Sequence, residues 1–338
     1  MLARFAIAVL LAGILPVISY SQEKNEVVLG TIKDHFSTMT CGVDGRTYFS
    51  RPNRDPSAGI TSVYSVSEVL RDGSIVTFQL PRAMVPVVAA VDASGLSVLA
   101  AYPRHLHEDY GYEMYQFDNQ ANLLEHDLAG IDFYPMQMAV LPSGKTIVVG
   151  HRGDISRSHR DEWTFVGAVL DAVGGVITRF EFPSPPDGGK WTFNSREKMV
   201  TGDGAAYLVL ESDSDTGIAK ISETGRFDVK IIADPVDDDQ HPYHLWLLGP
   251  GVAVEEYTDR GDRPRMKMHY DEYDLNSGEE IATKISPGAS AQCYFGTEVS
   301  WTTGSAHVDP SRHLSPDTLR LVFSKLENQA ANLPPAGH

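Results

Sequence analysis

Several things are scarce in this sequence. It has 2 cysteines in 338 residues, so a disulfide-dense scaffold is excluded and at most one internal bridge can form. Positive charge is also scarce: 28 Lys and Arg stand against 45 Asp and Glu, a formal net charge of −17. The basic residues are scattered, without an Arg/Lys stripe, and a strongly acidic surface repels phosphate backbones. Nucleic acid is therefore not expected as a partner. Beyond residue 21 no apolar run approaches the roughly 20 residues a membrane helix needs, so no membrane span is expected in the mature chain. There is no HExxH or Cys–His pattern, no GxSxG, no Walker loop and no dinucleotide fingerprint. Zincin, nucleophile-elbow, P-loop and dinucleotide chemistry thus lack their usual sequence support.

The N-terminus reads as a targeting segment. Arg4 is the only charge in the first 21 residues, and an apolar run from Phe5 to Ile18 is broken by Gly13 and Pro16. Ser19-Tyr20-Ser21 then offers small residues where a signal peptidase reads, so residues 1–21 are expected to be a signal peptide cleaved before Gln22. No cysteine follows the run to take a lipid. Export to a periplasmic or extracellular compartment is the expectation.

What the chain has in abundance is repeated hairpins. Met136–Gly150 reads as two strands joined at Pro142-Ser143-Gly144. Thr164–Leu170 and Val176–Phe182 flank a second turn, Asp171–Gly175. The first turn recurs at Gly45, Gly95, Gly144, Gly204, Gly251 and Gly296, with gaps of 50, 49, 60, 47 and 45 residues. The second recurs as Arg71–Ser74, Asp118–Asn122, Asp171–Gly175, Ser222–Gly225 and Asp274–Gly278. Asp and Asn bond their own backbone in such turns, and Gly supplies positive φ.

A four-stranded unit at this period predicts an all-β, six-bladed β-propeller of antiparallel blades, a single domain over residues 22–327. The sixth unit offers only three strands, in Ser290–Phe295, Glu298–Thr302 and Thr318–Ser324. The spare strand Glu26–Ile32 is expected to supply its outer strand and close the ring. Seven blades, with Pro183–Lys198 in a degenerate one, is the alternative. Residues 328–338 offer no good strand and are expected to form a disordered tail. Cys41 and Cys293 fall at similar heights on the first strands of blades 1 and 6, which are neighbours in a six-membered ring. A bridge between them is expected, the alternative being two buried thiols too far apart.

Hairpins such as Tyr270–Glu279 make the chain resemble the six-bladed propeller superfamily that includes NHL-repeat and TolB-like domains. The resemblance covers nearly the whole mature chain and implies the fold. Members range from scaffolds to hydrolases, so it implies little about activity.

Propeller loops between strands two and three, and those between blades, surround one mouth of the central channel. Polar loops on a rigid scaffold are where function usually sits. His35, His105, His107, His151, His241 and His244 lie on or beside these loops, with Arg152 and Tyr243, and together form the candidate ligand site. Converging imidazoles could hold a metal or act as acid and base. No catalytic residue, metal or cofactor can be assigned. Glu211–Gly217 begins like a calcium loop but has Thr216 at the turn glycine and Ser222 at the bidentate glutamate. Asp237–Asp239 reads as a solvated run. An inward Glu255 or Glu256 near His241 or His244 would be a candidate general base. Loop aromatics, among them Phe133, Trp163, Trp191 and Trp246, fit either ligand stacking or core packing. The expectation is a binding module for a protein, carbohydrate or small-molecule ligand. The alternative is an extracytoplasmic hydrolase or lyase built on His35, His151, His241 or His244.

Overall fold

The computed structural model describes residues 26–31, 37–42, 45–53, 63–81, 84–102, 111–153, 163–186, 188–193, 198–212, 216–232, 241–258, 268–286, 291–303 and 318–328. Among them every regular element is a strand. After β1 (Glu26–Thr31), blade 1 is β2 (Ser37–Cys41), β3 (Thr47–Asn53), β4 (Val63–Val69) and β5 (Ile75–Gln79). Blade 2 is β6 (Val85–Val91), β7 (Gly95–Ala101), β8 (Tyr112–Asp118) and β9 (Leu123–Ala129). Blade 3 is β10 (Tyr134–Val140), β11 (Thr146–Arg152), β12 (Thr164–Leu170) and β13 (Val176–Glu181). Blade 4 is β14 (Val200–Gly202), β15 (Ala205–Glu211), β16 (Thr216–Ser222) and β17 (Phe227–Ile232). Blade 5 is β18 (His241–Gly249), β19 (Val252–Thr258), β20 (Met268–Asp274) and β21 (Glu280–Ser286). Blade 6 is β22 (Cys293–Tyr294), β23 (Glu298–Thr303) and β24 (Thr318–Lys325), followed by β25 (Glu327–Asn328).

Each blade is an antiparallel meander, and β1 pairs with β24 as the outermost strand of blade 6. Burial explains why the units stack. The second strands are covered on both faces: all seven residues of β7 are buried. The outer strand β13 alternates half-buried and exposed positions, since one face meets solvent. The tight turns follow the residues that the sequence places there. Gly144 sits at φ 79°, and Asp171 Oδ1 accepts from the Gly175 N–H at 2.7 Å. Among the second turns blade 2 is the exception, with Ala121 rather than glycine in the left-handed position at φ 63°.

Ring closure is visible in the core. Three large apolar clusters lie between blades 1 and 2, 2 and 3, and 3 and 4. Smaller ones lie between blades 4 and 5 and between 5 and 6. The last joins blade 6 to blade 1 through Val27, Leu29, Leu321 and Phe323 against Phe49 and Val69. The fold is a six-bladed β-propeller closed by its first strand, and the seven-bladed count does not hold. The described residues between 183 and 198 form no blade. There Thr192 bridges to Glu211, while Trp191 and Phe193 fill the space between blades 3 and 4.

Cys41 and Cys293 are bonded, with Cα atoms 5.8 Å apart. Asn328, the first residue of the expected tail, pairs with Lys284 through β25, which extends blade 5 to five strands. The expected signal peptide and residues 329–338 lie outside the described residues.

Candidate functional site

The inner strands β2, β6, β10, β14, β18 and β22 surround the ring axis, and all six blades line one cavity there of about 390 Å³. It occupies the end of the channel where the inner strands finish, near Gly42, Val91, Val140 and Gly296. Of the expected histidine rim, His151 and the backbones of His241 and His244 lie at the opposite end, where those strands begin.

The lining is mostly apolar. Met138, Met199, Leu247 and Phe295 contribute aliphatic and aromatic surface, and Thr40 and Thr201 add hydroxyls. Among the described lining residues Lys198 is the one charged side chain. It immediately precedes Met199 and β14, so the chain enters blade 4 through the channel wall. Surrounding apolar groups desolvate the ammonium and push its pKa down to about 8. The side chain nonetheless keeps some exposure to the channel.

Two aromatic lining residues are held from behind by buried carboxylates. Trp246 Nε1 donates to Glu256 Oε2 at 3.2 Å, and the Tyr294 hydroxyl donates to Glu272 Oε1 at 2.8 Å. Glu256 also accepts from the Tyr270 hydroxyl at 3.3 Å and the Ala291 N–H at 2.8 Å. Glu272 is further engaged by Lys284 Nζ at 2.6 Å. Burial and the neighbouring carboxylates raise the pKa of both tyrosines, so both stay protonated donors. Glu256 is fully buried and holds three donors, so it acts as a post for the channel wall rather than as a poised base. Glu255, its neighbour, is buried as well.

The sequence candidates are distributed differently. His151 ends near Tyr134 at the rim end of blade 3, but the residue is only 1% exposed. It stacks on Trp163 with centroids 3.8 Å apart, and its Nδ1 is buried with no hydrogen-bond partner among the described residues. Burial lowers its pKa, which the Arg152 backbone partly offsets. Arg152 turns outward: it meets Asp132 at 2.9 Å and Glu181 on the outer strand at 3.7 Å. The backbones of His241, Tyr243 and His244 start β18, and His244 is paired with Glu256 across the ladder. His35, His105, His107 and Asp237–Asp239 lie outside the described residues. Glu211 pairs with Thr192 in a backbone bridge, and Asp213–Asp215 are not described. No group of three His, Cys, Asp or Glu side chains suited to a metal occurs among the described residues. Phe133, Trp191, Phe193 and Trp246 are all buried, so packing accounts for them, though Trp246 also faces the channel.

A hollow of about 460 Å³ lies on the flank between blades 4 and 5. Its cations are already engaged: Lys220 sits over the Tyr207 ring, and Lys230 donates to the Leu275 carbonyl. The axial cavity is the better candidate because six blades converge on it. Sequence reasoning missed Lys198, which it left in the long interblade interval. Its place at the junction with the first apolar strand residues, Met199-Val200, was the available signal.

Fold and cavity together define a six-bladed β-propeller with an apolar axial pocket. No protein-family model and no curated protein matches the chain. Solved structures are similar to it at low identity. One is a polysaccharide lyase, 10% identical with a TM-score of 0.41, covering 71% of this chain and 58% of its own. The chain therefore spans less than two thirds of that lyase. Another, from Lactobacillus plantarum, is 13% identical with a TM-score of 0.42 and covers 84% of this chain and 81% of its own. A neuraminidase-like protein from a bat isolate from Guatemala is 10% identical with a TM-score of 0.45, covering 82% of this chain and 79% of its own.

Proposed function

We propose that the chain is an exported, non-catalytic binding module that holds a small organic ligand in its axial channel. The observation that carries this reading is the cavity to which every blade contributes, with a volume of about 390 Å³. Small-molecule sites are concave, mostly apolar and marked by a few polar groups, and they begin near ~300 Å³. Two wall aromatics fixed from behind by Glu256 and Glu272 supply a surface that need not reorganise on binding. A bridged cysteine pair suits an oxidising compartment, which supports export to the periplasm or outside the cell. Kinship with NHL-repeat and TolB-like propellers is part of the same proposal and rests on the hairpin pattern.

The test fills the channel without touching the packed core. Thr201 lines the cavity and is exposed, so Thr201→Trp adds bulk there. A panel of small aromatic and aliphatic organic compounds is screened by ligand-observed NMR against both proteins. Compounds that bind the wild type and lose binding to the variant, at unchanged melting temperature, support the reading. A panel that binds both equally, or neither, overturns it.

A further inference from the structure

We propose that the outer edge of blade 2, strand β9, docks an extended segment of a partner protein in which basic and apolar residues alternate. The site is separate from the axial channel and does not depend on the channel reading.

β9 is the last strand of its sheet, and its far edge has no strand beside it among the described residues. Such an edge presents a row of backbone donors and acceptors to any chain that lies along it. Its first six residues are all exposed, whereas the outer strand β13 keeps alternate positions half-buried. Leu123, Leu124 and Leu128 are 40%, 61% and 68% exposed, so this one strand leaves three leucines in water. Outer edges are commonly blunted with Lys or Pro. β9 has neither, and its fixed charges are two acids, Glu125 and Asp127. The edge is therefore closed to acidic strands and open to basic ones.

The ladder with β8 fixes which side chains share a face. Leu123, His126 and Leu128 stand opposite Phe117, Tyr115 and Glu113, on the side of blade 1. Glu125 and Asp127 stand opposite Gln116 and Met114, on the side of blade 3. Leu124 is the extra residue of the bulge between Leu123 and Glu125. The His126 ring lies nearly parallel to Tyr115 with centroids 5.5 Å apart, so it continues the apolar side. Among the described residues no cation pairs with Glu125 or Asp127. Asp127 Oδ1 accepts from the Leu128 N–H at 2.7 Å, a local side chain standing where a strand is missing.

A strand laid along β9 places alternate side chains on these two sides. Those beside Glu125 and Asp127 gain from positive charge, and those beside His126 and Leu128 gain from apolar surface. Main-chain hydrogen bonds then supply affinity while the alternation selects the partner. A second copy of this chain fits badly. Antiparallel pairing centred on His126 sets Glu125 of one copy against Asp127 of the other, twice, and like charges directly opposite each other destabilise a ladder. The net charge of −17 opposes self-association further.

The intact mature protein is titrated with blocked heptapeptides, followed by fluorescence anisotropy at low salt. One alternates lysine with valine and another alternates glutamate with valine. The lysine peptide is expected to bind about tenfold or more tightly, and the preference should shrink as salt rises. Two further lysine peptides carry N-methyl groups, one on its lysines and one on its valines. Successive N–H groups of a strand point to opposite edges, so one set should abolish binding and the other keep it. Leu128→Lys should weaken the lysine peptide, and Glu125→Lys with Asp127→Lys should reverse the charge preference, at unchanged melting temperature. In the wild type, hydrogen exchange should show the peptide protecting β9 amides first, a readout that needs no variant. Equal binding of lysine and glutamate peptides, equal effects of the two methylated sets, protection elsewhere, or no binding at all overturns the proposal. Concentration-dependent dimerisation that Leu128→Lys abolishes, seen by sedimentation, makes a second copy the occupant and overturns it as well. None of these outcomes bears on the channel, whose own test uses Thr201→Trp.

Discussion

The two halves of the ring are held together differently. Between blades 1 and 4 the described interfaces bury apolar clusters of 12, 15 and 13 residues. From blade 4 back to blade 1 the clusters hold 6, 7 and 6. The poorer half buries five acids, Glu255, Glu256, Asp271, Glu272 and Glu298, against Glu68 and Glu113 among the described residues of blades 1 to 4. Its closing seam is stitched across blades 6 and 1 by directional bonds. The Thr38 hydroxyl donates to Gln292 at 2.5 Å, Thr47 and Ser300 hydroxyls meet at 3.1 Å, and Arg71 pairs with Glu298 at 2.5 Å. The disulfide lies beside them. Apolar packing is non-directional and dominates between blades 1 and 4. The seam must select partners some 250 residues apart, and hydrogen bonds, ion pairs and one covalent link specify which strands meet.

This contrast can be broken in order of size. Replacing both cysteines, as Cys41→Ser with Cys293→Ser, should lower stability by up to about 5 kcal/mol in urea unfolding, because the bridge spans 252 residues. A loss under about 1 kcal/mol would mean that the polar stitches close the ring unaided. Next, Glu256→Leu strips the acceptor from Trp246, Tyr270 and Ala291 and should cost about 4 kcal/mol. Glu256→Gln keeps one acceptor oxygen and should cost less. Hydrogen exchange should show the Leu variant loosening blades 5 and 6 first. Ile147→Ala, which opens a cavity between blades 3 and 4, should loosen that interface instead at about 3 kcal/mol. Identical exchange patterns for the two variants would erase the contrast.

Lys198 is the charge that the apolar side tolerates at the axis. Its folded pKa of about 8 lies below the ordinary 10.5, so the folded state binds protons less readily than the unfolded one. Its penalty is complete below pH 8 and disappears as pH rises to 10.5. Lys198→Met should therefore stabilise the protein by about 2 kcal/mol at neutral pH, allowing for the part open to water. The advantage should vanish above pH 10.5 in paired thermal melts, and a pH-independent gain would contradict it. The smallest effect concerns blade 2, whose second turn strains Ala121 at φ 63°. Ala121→Gly should raise stability by up to about 1 kcal/mol, visible as a modest rise in melting temperature.

The repeat was legible because hairpins are local. Turn residues such as Gly144 and Asp171 act within four residues of themselves, so their spacing counts blades directly. The partnership of β1 with β24 was legible by elimination, since one unit lacked a strand and one strand lacked a unit. The candidate site was read less well. Histidines on polar loops drew attention by residue type, yet His151 is packed under Trp163 and Arg152 is drawn outward by Asp132 and Glu181.

Residue order alone determined how each sheet is wound, pointed to six sheets with seven left open, and singled out the strand that closes the circle, since these depend on periodicity and turn chemistry a few residues long. The fold decided what faces the axis. Lys198, Trp246 and Tyr294 are separated by up to 96 positions in the chain and share a wall only because six sheets turn their first strands inward. Whether a given side chain offers its polar end or its apolar surface to that wall depends on acids that pack behind it, and that depends on how neighbouring blades meet.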